Sequence, residues 1–100
     1  MFFIANQITP APGKAGDLRK LAAHATEIAK ANGESLIGGF QVAMGQDVGS
    51  LVYFTAYKDG AAYQAAMKAV GESGDAEKVG SLIASSATIV LQPLPDSPLH

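Results

Sequence analysis

The apolar positions of this chain alternate between strand and helix periods, and the switches lay out the fold. Residues 2 to 8, rich in Phe and Ile, read as a first strand. It stops at Thr9-Pro10-Ala11-Pro12-Gly13, where two prolines and a glycine interrupt regular pairing. From Lys14 the period becomes helical: Leu18, Leu21, Ala22, Ala25, Ile28 and Ala29 share one side, with Asp17, Lys20, His24 and Glu27 on the other. Asn32-Gly33 closes this helix. Residues 35 to 44 and 51 to 57 are two further strands, joined into a hairpin by Gly45-Gln46-Asp47-Val48-Gly49. Asp59 caps a second helix with Ala62, Tyr63, Ala66, Met67 and Val70 on its apolar side, and Gly71 and Gly74 break it. A short helix from about 75 to 84 is expected next, holding Val79, Leu82 and Ile83 inward, and then a last strand from about 86 to 92. Pro93, Pro95 and Pro98 make the remaining tail extended.

The order β-α-β-β-α-β predicts one α+β domain over residues 1–100, a ferredoxin-like sandwich. Two right-handed halves of this kind build a four-stranded antiparallel sheet in the order four, one, three, two, with both helices on one face. If water covered the other face, every strand would alternate apolar with polar residues. These strands do not. Phe2, Ile4 and Ile8 oppose Phe3 and Ala5; Leu36, Phe40, Val42 and Met44 oppose Ile37 and Ala43; Leu51, Tyr53 and Tyr57 oppose Val52, Phe54 and Ala56; Val90 opposes Ala87, Ile89 and Leu91. Such a face exceeds the roughly 300–600 Å² of contiguous apolar surface that monomers carry. A second copy related by a two-fold axis is the economical cover, and a homodimer is therefore expected. Asn6, Gln41, Tyr53, Thr55, Tyr57, Thr88 and Gln92 would then line a chamber between the two sheets, suited to a small apolar or aromatic molecule.

Composition and charge narrow the function. With 100 residues, 48% of them hydrophobic and 16% charged, the chain supports one folded core. A net charge of -2 and seven scattered Lys and Arg offer no field for nucleic acid. The chain has no cysteine, hence no disulfide or thiolate chemistry, which suits a reducing cytoplasm. The apolar start, Met1 to Ala5, is too short for a membrane span and carries no basic segment of a signal peptide.

Candidate chemistry is sparse. His24 falls with Lys20 and Glu27 on the polar side of its helix, and His100 follows three prolines at the end of the chain. The acids Glu34, Asp47, Asp59, Glu72, Asp75 and Glu77 fall in caps and loops, so no metal site is expected. Ser81, Ser85 and Ser86 lack the partners of a nucleophilic triad. Gly38-Gly39 inside a strand marks a bulge or a close approach of backbone or ligand. Tyr53 and Tyr57 read first as core aromatics with locally satisfied hydroxyls, and second as pocket residues that stack on a ring.

Phe3-Ile4-Ala5-Asn6-Gln7-Ile8 followed by Pro12-Gly13, and Val52-Tyr53-Phe54-Thr55-Ala56-Tyr57-Lys58 leading to Ala62-Tyr63, resemble the dimeric α/β-barrel superfamily. That superfamily includes the antibiotic-biosynthesis monooxygenases, the haem-degrading enzymes and the NIPSNAP-like proteins. The resemblance implies a dimer and, in the monooxygenase branch, cofactor-independent oxidation of an electron-rich aromatic substrate by O₂. Asn6 matches a strand-one Asn that several members place in the pocket, where its amide would hold a substrate oxygen. Asn6, Tyr53 and Tyr57 are accordingly the candidate pocket residues, with no cofactor implied. Haem-degrading members use a Trp on the helix after strand three and a His further along. Here that helix shows Ala66, residues 70 to 80 contain no His, and the chain has no Trp. A cofactor-independent monooxygenase and a non-catalytic module for ligand binding or assembly both remain open on the residues alone.

Overall fold

The computed structural model describes residues 1–98, with the side chains of residues 75 and 76 outside the description; His100 also lies outside the described residues. The elements run β1 (Phe2–Pro10), α1 (Ala15–Ala31), β2 (Ser35–Gln41), β3 (Leu51–Tyr57), α2 (Gly60–Glu72), α3 (Asp75–Val79) and β4 (Ile83–Leu91). The sheet order is β2-β3-β1-β4, all neighbours antiparallel, which is the expected ferredoxin-like arrangement. Among the described residues, no helix is long and apolar enough to cross a membrane.

Register assigns the faces. Ile4 lies opposite Thr55 and Val90, Asn6 opposite Tyr53 and Thr88, and Ile8 opposite Leu51 and Ser86. Cross-strand partners share a face. These residues look toward the helices, where Ile4, Ala29, Tyr57 and Ala66 form one buried cluster and Ile8, Leu18 and Leu51 another. The opposite face carries Phe3, Phe54, Ala56, Phe40 and Ile89, with the Phe3 and Phe54 rings 6.2 Å apart.

Four boundaries differ from those expected. β1 continues through Thr9 to Pro10, because the register shift between those residues places the proline, which has no N–H to donate, at a bulge. β2 ends at Gln41 rather than 44, where Val42 and Ser50 close the loop through Val42 N–H to Ser50 C=O at 2.9 Å. The expected helix over 75 to 84 is only α3, since the chain turns after Val79 and Ile83 already pairs with Pro10. β4 therefore starts at Ile83 instead of 86. Leu82 and Ile83 still pack inward, against the Ile8 cluster.

Candidate functional site

The three candidate pocket residues converge, but not between two sheets. Asn6, Tyr53 and Tyr57 all face the helices, and with Thr55 and Thr88 they line a cavity of about 340 Å³ inside one chain. Their place follows from register: Asn6 pairs with Tyr53, and side chains two residues apart on a strand point the same way. The chamber thus lies between sheet and helices. The expected placement between sheets fails because the polar residues of β1 and β3 share the face that the helices cover.

The cavity exists because α1 does not fill it. After Leu18 and Leu21, its inner positions are Ala22, Ala25, Thr26 and Ala29, all short side chains. Tyr63, Met67 and Val70 of α2 and Val79 of α3 form the other wall. Beyond Leu21 the helix meets the sheet through short side chains, which leave volume that a Leu or Phe would occupy.

A polar rim is set into this apolar wall. Thr88 Oγ1 donates to Asn6 Oδ1 at 3.1 Å, and among the described residues the Asn6 amide nitrogen makes no bond of its own. Tyr57, 2% exposed, donates its hydroxyl to Glu34 Oε2 at 2.5 Å. Glu34 was expected only as a loop acid. It reaches the cavity because α1 ends in a Schellman turn: Gly33 takes φ 102, Glu34 N–H bonds Ala29 C=O at 3.0 Å, and Gly33 N–H bonds Lys30 C=O at 3.3 Å. The Asn-Gly pair was the signal for that turn, and the residue two past the cap folds back on the helix end.

Burial pushes the Tyr57 phenol well above its ordinary range, and the bond to Glu34 and the charge of that carboxylate push the same way. Tyr57 is therefore a fixed hydrogen-bond donor. Burial also raises Tyr53, opposed in part by the positive charge of Arg19. The Tyr53 ring lies close over Gly39, where an added Cβ would come within 3.2 Å of Cε1 and 3.3 Å of Cδ1. Gly38 likewise accepts the Phe40 ring on the other face. The Gly38-Gly39 pair combines both expected features, a bulge between Leu36 and Gly38 and two rings in close approach. That bulge also separates Leu36 from Phe40, which strict alternation had put on one side: Leu36 pairs with Thr55 and Phe40 with Val52.

Fold and chamber together define a ferredoxin-like α+β protein with a helix-covered cavity. A family model described as NIPSNAP matches residues 9–98, and the chain belongs to the NIPSNAP family. No curated protein matches it. Among solved structures, a NIPSNAP domain protein from Burkholderia xenovorans has a TM-score of 0.79 at 16% identity, covering 98% of this chain and 99% of that one. A NIPSNAP family protein from Agrobacterium tumefaciens has a TM-score of 0.78 at 20% identity over 100% of both chains. An antibiotic biosynthesis monooxygenase-like protein from Nitrosomonas europaea has a TM-score of 0.77 at 14% identity, covering 94% and 99%. At these identities the likeness is one of fold.

Proposed function

We propose that the chain is the subunit of a homodimer and binds a small apolar or aromatic molecule between its sheet and its helices. The observation that carries the binding reading is the cavity of about 340 Å³, apolar in most of its wall, with the Asn6 amide and the Tyr57 hydroxyl set into it. A cavity of about 150 Å³ takes benzene, so this one has room for fused rings. The dimer reading is supported by the exposed part of the sheet face away from the helices, where Phe40 is 60% and Ile89 56% exposed beside buried Phe3 and Ala56.

Cofactor-independent oxidation of the bound ring by O₂ is the finer activity we propose. In it the substrate supplies the electrons, while the Asn6 amide holds one of its oxygens and Tyr57, its proton committed to Glu34, offers only its hydroxyl oxygen to accept from a substrate O–H. A panel of polyphenols and hydroquinones tests both levels. A ligand that binds raises the melting temperature, and one that is oxidised consumes O₂. Asn6→Ala is expected to weaken whichever response appears, and an Asn6→Ala chain that binds and turns over as the parent does would refute the role of the amide. In solution the mass should be twice 10.2 kDa, and a monomer at micromolar concentration would overturn the dimer.

A further inference from the structure

Among the described residues that line the chamber, Glu34 is the one side chain charged at pH 7, and no Lys, Arg or His stands in that wall. Glu34 is half-buried and held from two sides. Its N–H bonds Ala29 C=O at 3.0 Å, and one of its carboxylate oxygens accepts the Tyr57 hydroxyl. It makes no ion pair among the described residues. The phenol that bonds it is neutral, so the negative charge stays uncompensated, and the one proton of Tyr57 is already committed. The pair presents lone pairs and a negative charge.

The aromatic part of the wall has the same sign. Tyr53, Tyr57 and Tyr63 all line the chamber, with the Tyr57 and Tyr63 rings 5.2 Å apart. Ring faces carry negative potential, which attracts cations and repels anions. Arg19 acts on Tyr53, but it stands in the separate groove beside β2 and not in the chamber wall.

We propose that the chamber selects its ligand by charge: it takes an apolar or aromatic body whose polar end is an ammonium seated on Glu34, and it disfavours the matching carboxylate. The inference rests on the binding reading of the chamber and adds the sign of the charge to it. Loss of water from the ammonium opposes binding. A carboxylate that is already partly withdrawn from water and fixed by two bonds offsets this, because the protein side needs little further ordering or desolvation. An account in which Glu34 serves only to satisfy Tyr57 makes no distinction among ligand charges.

Isothermal titration of the full chain at pH 7 with 2-naphthylmethylamine, 2-naphthalenemethanol and 2-naphthoate presents one ring system with a positive, a neutral and a negative end. The ammonium should bind about five- to twentyfold more tightly than the alcohol, between the effect of an exposed ion pair and that of a hydrogen bond to a buried charge. The carboxylate should bind more weakly than the alcohol. In Glu34→Gln, whose amide oxygen still accepts from Tyr57, the alcohol should bind and the three affinities should draw together, with urea unfolding to check that the variant is folded. Glu34→Asp keeps the charge and should keep the order. An ammonium that binds the parent no more tightly than the alcohol overturns the inference and leaves the chamber reading intact. So does an order that persists in folded Glu34→Gln or is lost in folded Glu34→Asp. If none of the three compounds binds the parent chain, the inference falls together with the reading beneath it.

Discussion

Replacing Tyr57 by Phe removes one oxygen from a side chain that is 2% exposed and keeps its ring. The packing persists: the ring meets Tyr63 nearly edge-on with centroids 5.2 Å apart, and it stays in the cluster with Ile4, Ala29 and Ala66. What is lost is the bond to Glu34 at 2.5 Å and the contact with the Thr55 hydroxyl. A hydrogen bond to a charged partner is worth about 1.5–3 kcal/mol, but half-buried Glu34 regains water in the variant, so about 1–2 kcal/mol is expected. Urea unfolding at pH 7 and fixed protein concentration should show a lower midpoint with an unchanged slope. The pH dependence supplies a second readout. Because burial and Glu34 raise the folded-state value of Tyr57, the native chain keeps a proton that the unfolded chain releases above about pH 10. The stabilisation is whole below that pH and declines as the pH rises through the folded-state value. Tyr57→Phe should decline less steeply. A variant within about 0.3 kcal/mol of the parent, or parallel curves for the two chains between about pH 9 and 11, would refute the reasoning.

Gly39→Ala places a methyl group against the half-buried Tyr53 ring, whereas Gly38→Ala brings a Cβ within 2.8 Å of the outer edge of the Phe40 ring, which is 60% exposed in the single chain and must turn aside. Gly38→Ala should gain about 0.4–1 kcal/mol in unfolding experiments and Gly39→Ala should lose that gain, with weaker binding in the chamber. Asp59→Ala removes the carboxylate that accepts Ala62 N–H at 2.8 Å and should cost about 1 kcal/mol by thermal or urea unfolding, with Asp59→Asn retaining most of it. Phe40→Lys with Ile89→Lys puts two like charges on the open sheet face; light scattering should then report a monomer, and an unchanged mass would move the interface elsewhere.

How far the sequence could be read differs by feature, for physical reasons. Element order and sheet topology followed from period changes and turn residues, which act locally. Asp59 shows this at its simplest, since a cap is recognised by the few residues around it. The end of the third helix was not legible: Val79, Leu82 and Ile83 suit the core side of a helix or a strand equally well. Pairing of Ile83 with Pro10, a contact across most of the chain, decides it. Gly38-Gly39 marked the bulge beside Leu36 but not its place in the register, and a single extra residue swaps the faces of everything after it.

The candidate residues line one cavity, as a set, but the space between two sheets expected for them is not where that cavity lies. Asn6, Tyr53 and Tyr57 were marked by their chemistry, and the even positions of β1 and the odd positions of β3 put them on one face without settling which. The apolar character of both faces removed the usual discriminator. Volume supplies a better one. On α1 the inward sequence Leu18, Leu21, Ala22, Ala25, Thr26, Ala29 begins with side chains that fill the space above a sheet and continues with side chains that do not. A sheet face that offers Asn6, Thr55 and Tyr57 to a wall of alanines has polar groups to satisfy and volume left over. Tyr57 resolves its part by bonding Glu34, which the Schellman turn swings inward, and Asn6 resolves half of its part through Thr88. The Asn6 amide nitrogen keeps donor capacity that no bond among the described residues uses, and that is the capacity Asn6→Ala would remove.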